Sequence, residues 1–208
     1  VKPIMYSGGI GYIDHKNIIK LPPERGMIIT RIGGPGYPIG LGGGSSSSRN
    51  QDAKNENSDF NAVQRGDPQM ENKLCRFVKM CSELKVNPIL SIHDQGSGGM
   101  GNVTKEIVSP EGGMVFLDNV SLGDRNMSSN EIWNAEYQEQ CTVLITPKSF
   151  DIVKSIAKRE NVNIDFVGFV TNTNTIDVYT KKDSINFPVN MDLNKILEHI
   201  PTKVYHLT

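Results

Sequence analysis

Residues 87–102 read NPILSIHDQGSGGMGN. The apolar run from Ile89 to Ile92 is bounded by Pro88 on one side and by His93 and Asp94 on the other. Four glycines, at 96, 98, 99 and 101, fall in the seven residues after Asp94. A run of that length between turn signals reads as a buried strand. The glycines read as a tight turn, and NVTKEIV at 102–108 reads as a short helix. A strand, a glycine turn and a helix in immediate succession predict layers of sheet and helix.

The flanking sequence repeats this alternation. Upstream, Asp67 is an N-cap candidate and Pro68 suits the first helical position; Met70, Leu74, Phe77, Val78, Cys81 and Leu84 then recur at helical spacing. Downstream, GMVFLD (113–118) reads as a strand and SSNE (128–131) as a capping box. CTVLIT (141–146) reads as a strand, and SFDIVKSIAKRE (149–160) as an amphipathic helix with Phe150, Val153, Ile156 and Ala157 on one side. IDFVGFV (164–170) and TIDVYT (175–180) are expected to form a hairpin around TNTN, and DLNKILEHI (192–200) to be a final short helix. The expected fold class is α+β, a layered mixed sheet with helices. Near the start, MIITRIGG (27–34) is a β-branched strand candidate. It runs into GGPGYPIGLGGG (33–44), where seven glycines and two prolines exclude a helix. Residues from about 45 to 58 are polar and aperiodic and are expected to be a mobile loop.

Composition narrows the function classes. With 22 basic and 23 acidic residues in 208, and no block of one sign, neither a nucleic-acid groove nor a membrane patch is expected. The apolar runs are too short to span a bilayer, and the first twelve residues do not read as a signal peptide. Cys75, Cys81 and Cys141 have no metal-site spacing and read as reduced thiols of a cytoplasmic protein. None of His15, His93, His199 or His206 is paired by sequence with a nucleophile motif.

Two stretches carry candidate chemistry. A carboxylate at a strand tip before a glycine turn can hold Mg²⁺, and the turn and helix N-terminus can receive phosphate. On the residues alone, the alternative that Asp94 merely caps the next helix stays open. In AEYQEQ (135–140), Glu136 and Gln138 would share a face if the segment is extended. Such a pair suits the hydroxyls or amide of a small polar ligand; a solvated edge strand is the plainer alternative. The run GLGGGSSSS (40–48) matches neither a P-loop nor a dinucleotide fingerprint.

Taken in order, GGPGYPIGLGGGSSS, SDFNAVQRGDPQMENK, NPILSIHDQGSGGMGNVTKEI, EIWNAEYQE and FVGFV resemble the phosphoribosylformylglycinamidine synthase family, in its large, single-chain, eukaryotic-like form. The resemblance covers nearly the whole chain. It implies a ligase of purine biosynthesis that converts formylglycinamide ribonucleotide (FGAR), ATP and glutamine to the amidine. Ammonia comes from a separate glutaminase domain, and the synthetase core is a tandem duplication of the aminoimidazole ribonucleotide synthetase fold. This chain resembles part of the first half. Residues 1–24 match the end of an N-terminal, nucleotide-binding-type domain, and residues 25–208 match the C-terminal-type domain with its tail. The resemblance makes Asp94 a Mg²⁺ ligand. It makes Gln64, Glu136, Tyr137 and Gln138 substrate contacts, with Tyr137 standing where the family's smaller form has Ser. Gly42, Gly43, Gly44 and Ser45 become phosphate-loop candidates. ATP is then a co-substrate, and the remaining domains of the longer chain and a small ribonucleotide are the partners. The stretch alone is expected to be inactive. MIITRIGG, as a strand left unprotected, is expected to support self-association. A non-catalytic ligand-binding or regulatory module of the same fold is the alternative.

Overall fold

The computed structural model describes residues 6, 8–42, 56, 60, 66–137, 139–181, 187–198 and 202–204. In chain order the elements are β1 (Ile28–Gly33), α1 (Pro68–Glu83), β2 (Ile89–Asp94), α2 (Gly99–Ile107), β3 (Gly113–Phe116), α3 (Ser129–Asn134), β4 (Gln140–Ile145), α4 (Phe150–Glu160), β5 (Ile164–Val170), β6 (Thr175–Tyr179) and β7 (Val189–Asp192). The strands form one sheet in the order β2-β4-β1-β5-β3-β6-β7. Every neighbouring pair is antiparallel except β3–β6. The α+β class expected from sequence is the fold observed.

Local signals fixed the helix starts. The Asp67 side chain accepts from the Met70 amide at 3.0 Å, and Pro68 opens α1. Ser128 and Glu131 form the reciprocal capping box of α3. Helices then cover both faces of the sheet. On one face, Leu74, Phe77 and Cys81 of α1 and Val153, Ile156 and Ala157 of α4 pack with Ile32, Val143 and Ile145. On the other, Met100 and Ile107 of α2 and Ile132 and Trp133 of α3 pack with Ile29, Leu144 and Val167.

Two expectations fail, each on a long-range feature. β5 and β6 do not pair with each other, because β3 lies between them. The connection at 171–174 straddles the entrance to β3: the Thr171 amide donates to the Gly112 carbonyl at 3.0 Å, and the Asn174 amide to that of Glu111 at 2.9 Å. Turn chemistry sets the reversal of direction but not whether a third strand fills the gap. MIITRIGG is not an edge. β1 is paired along its length with β4 and with β5, so self-association through this strand has no open edge to use. The sheet ends instead at β2 and β7. Exposed apolar side chains fall on the N-terminal segment, at Tyr6, Ile10, Tyr12, Ile18 and Ile19. The last helix is a single π-helical turn, Asn194–Glu198. The loop expected to be mobile lies outside the described residues, apart from Glu56.

Candidate functional site

Asp94 is the last residue of β2 and is exposed. It does not cap α2: the N-cap there is Gly98, and no side chain bonds that helix end. Its carboxylate makes no hydrogen bond or ion pair with the described residues. It lines a cleft of about 850 Å³ between α1, the ends of β2 and β4, and the segment from Tyr12 to Asn17. The glycines after it do two separate jobs. Gly98 and Gly99 both have positive φ, 85° and 57°. A Cβ on Gly99 would stand 2.4 Å from the Ala135 carbonyl oxygen, so α2 approaches the end of α3 in a way that only glycine permits. Gly96 meets nothing within 4 Å and leaves the space beside Asp94 open.

His93, one residue earlier, points to the opposite side, where Nδ1 lies 3.6 Å from the Glu106 carboxylate of α2. Burial, and after it Lys20, lower its pKa. Two residues that sequence reasoning passed over also line the cleft. Gln95 is buried, and neither of its amide atoms has a hydrogen-bond partner. Glu139 has φ of 49°, a left-handed conformation uncommon for a side chain of its size, and its Oε2 is likewise enclosed without a hydrogen bond. Enclosed polar groups left unpaired cost about 1–3 kcal/mol each, so the cleft carries polarity that the fold itself does not use. Among the described residues, no group of three or more His, Cys, Asp or Glu side chains could hold a metal ion.

A second assembly lies on the α2–α3 face. Glu136 and Tyr137 precede β4 in irregular backbone, because the strand starts only at Gln140. The shared extended face proposed for Glu136 and Gln138 is therefore not what positions Glu136. The Glu136 amide donates to the Ile39 carbonyl at 3.0 Å, and its side chain is buried against Gly40. A Cβ on Gly40 would come within 2.5 Å of the Glu136 Cβ. The glycine-rich stretch thus cradles Glu136, with Gly42 two residues beyond. Tyr137 is buried, and its hydroxyl donates to the Ile132 carbonyl at 2.7 Å. Burial pushes its phenol pKa well above the ordinary value. Glu136 is not among the residues lining the Asp94 cleft. Gln64, Gln138, Gly43, Gly44 and Ser45 lie outside the described residues.

Beneath Tyr137 lies a buried ionic hub. Arg31, in the middle of β1, donates from Nε to Gln140 Oε1 at 2.6 Å, from Nη1 to the Asp165 carboxylate and from Nη2 to the Gly34 carbonyl. Its guanidinium lies 5.0 Å from the centre of the Tyr137 ring. Burial lowers its pKa and Asp165 opposes that shift. Asp165 also accepts from the Ser121 amide and hydroxyl at 2.9 and 2.6 Å. A lone Arg in a β-branched run gave no signal in the sequence, since it reads equally well as a solvent-facing strand residue.

Comparison with known proteins agrees with this architecture. Residues 24–181 match the family model of the AIR synthase related protein, C-terminal domain. The phosphoribosylformylglycinamidine synthase of Dictyostelium discoideum is 46% identical over 211 residues, which cover all of this chain and 15% of that protein. The human phosphoribosylformylglycinamidine synthase is 39% identical over 223 residues, covering all of this chain and 17% of its own length. Among solved structures, T. maritima PurL complexed with FGAR superposes with a TM-score of 0.74 at 23% identity, over 91% of this chain and 32% of that one. T. maritima PurL complexed with ATP gives 0.70 at 21% identity, over 93% and 31%.

Proposed function

This chain belongs to the AIR synthase related protein family, as its C-terminal domain, and on that premise we propose that it serves in the first half of the synthetase core of a phosphoribosylformylglycinamidine synthase. The chain spans about 15% of the Dictyostelium relative, so the activity is that of a longer protein. In this reading the whole enzyme converts FGAR, ATP and glutamine to the amidine in the cytoplasm. The domain supplies substrate and Mg²⁺–phosphate contacts, residues 1–24 close the preceding N-terminal-type domain, and the stretch alone is inactive. The glutaminase step and the rest of the nucleotide site belong to its partners, the remaining domains of the longer chain.

The observation that carries the reading is Asp94. It is a carboxylate fixed at a strand tip, unused by the fold, over a cleft with uncommitted polar groups. A single protein carboxylate suits Mg²⁺, which keeps several waters and binds through one or two carboxylates together with substrate phosphate. Asp94 would hold the ion, and the ion would neutralise phosphate charge. Glu136, with Gln64 and Gln138, would receive the ribonucleotide, and Tyr137 would back them. Gly42 to Ser45 would offer backbone amides to phosphate.

The test is Asp94→Asn in the full-length enzyme. The substitution keeps shape and removes charge. Mg²⁺-dependent turnover is expected to fall by about 10–100-fold with an unchanged melting temperature, the usual cost of disturbing a metal site. Unchanged turnover and unchanged Mg²⁺ dependence would refute the assignment.

A further inference from the structure

We propose that Arg31 is the positioning residue of the ribonucleotide site: its guanidinium locks the loop at 33–42 and the pair Glu136 and Tyr137 ahead of β4 into one register and so fixes where Glu136 stands. This rests on Glu136 being the substrate contact.

The three donor arms of Arg31 reach three different segments. Nη2 donates to the carbonyl of Gly34, at the root of the glycine-rich loop. Nε holds the Gln140 side chain, whose Nε2 donates to the same Gly34 carbonyl. Nη1 reaches Asp165 on β5. Through Asp165 the hub extends to Ser121, whose carbonyl accepts from the Gly36 amide at 2.9 Å. The Gly36 carbonyl in turn accepts from Gly123 at 2.8 Å. Gly34 directly, and Gly36 through Ser121 and Asp165, are therefore tied back to the one cation. The pair ahead of β4 is tied from the opposite side. Tyr137 lies over Arg31, and a Cβ on Gly36 would meet the Tyr137 ring at 3.0 Å. Glu136 is caught between these anchors, against Ile39 and Gly40.

Stability alone does not explain such a residue. Charges taken out of water are repaid only by full pairing, and a well-packed apolar side chain in the same place is often at least as stabilising. What an apolar residue lacks is a planar fork with directed donors. A fork that orders two segments on rigid strands is the kind of support a binding constellation needs to be held within a fraction of an ångström.

The experiment is a double-mutant cycle in the full-length enzyme, reading KM for FGAR and for ATP separately. Arg31→Lys keeps the charge and loses the fork. It is expected to raise the FGAR KM about tenfold while the ATP KM stays put, since a small misplacement of a binding group is costly. Combined with Glu136→Gln, it should add little, because the contact it positions is already gone. A lowered melting temperature with an unchanged FGAR KM, or fully additive effects, would overturn the proposal. If Arg31→Lys does not fold, Gln140→Met removes one anchor, leaves the Arg31–Asp165 pair, and is read by the same two constants. If Glu136→Gln itself leaves the FGAR KM unchanged, the contact assignment fails and the positioning role falls with it. If Glu136→Gln raises the KM and the Arg31 and Gln140 variants do not, only the positioning role fails.

Discussion

On the α1–α4 face of the sheet, Ile32, Val143 and Ile145 meet Leu74, Phe77, Val153 and Ile156, apolar against apolar. On the α2–α3 face, one step along the same strands, Arg31, Gln140 and Asp165 are just as deeply buried but are held by hydrogen bonds. The first face gains from burial in proportion to area and tolerates any side chain of suitable volume. The second spends burial on directed contacts that an apolar residue could not replace. That face also carries an apolar cluster of its own, with Met100, Ile132 and Leu144 in it, so there the sheet combines holding the domain together with holding loops in place.

The comparison can be broken most forcefully on the apolar side. Phe77 is fully buried on α1. Phe77→Ala is expected to destabilise the chain by about 3–5 kcal/mol in chemical denaturation. In the full-length enzyme, the protein that remains folded should keep its FGAR KM. A changed KM would show that the two faces are not separable. On the other face the opposite pattern is expected. Gly99→Ala places a methyl against the Ala135 carbonyl at positive φ, next to the segment that carries Glu136. It should cost about 1–3 kcal/mol and raise the FGAR KM at the same time. Loss of stability without the KM effect would detach α2 from the site.

The smallest effect concerns His93, which faces α2 with Lys20, Glu106 and Asp94 around it. Its folded-state pKa lies below the ordinary value of 6.5, first because of burial and then because of Lys20. As pH falls through 6.5 the unfolded chain takes up this proton first, so stability declines until the folded-state pKa is reached. His93→Gln should flatten the melting temperature between about pH 7 and 5. An unchanged slope would mean that the Glu106 contact offsets the burial.

The same division explains what could be read from the sequence. α1 was legible because Asp67, Pro68 and the Leu74–Phe77–Cys81 spacing are local, and α3 because Ser128 and Glu131 lie three residues apart. Asp94 at the tip of β2 was legible for the same reason. The neighbours of β1 were not, since they come from far along the chain and periodicity says nothing about strand order. Arg31 was missed because its role exists only once Gln140 and Asp165 arrive. Glu136 was read on the wrong backbone: it stands in an irregular segment held by Ile39 and Gly40, rather than in an extended strand.

The place of β1 has a consequence in time as well as in space. Of the described strands, the earliest to be synthesised is the third in the sheet, and its partners β4 and β5 follow more than a hundred residues later. Arg31 waits 109 residues for Gln140 and 134 for Asp165. Closure over such separations makes folding slow, because the chain entropy is lost before the contact is gained. A nascent chain ending before β5 holds an apolar strand with one side bare and a buried-to-be cation without its counter-ion. During that interval the domain depends on its later half, and a ribosome pausing near residue 160 would expose the segment most in need of cover.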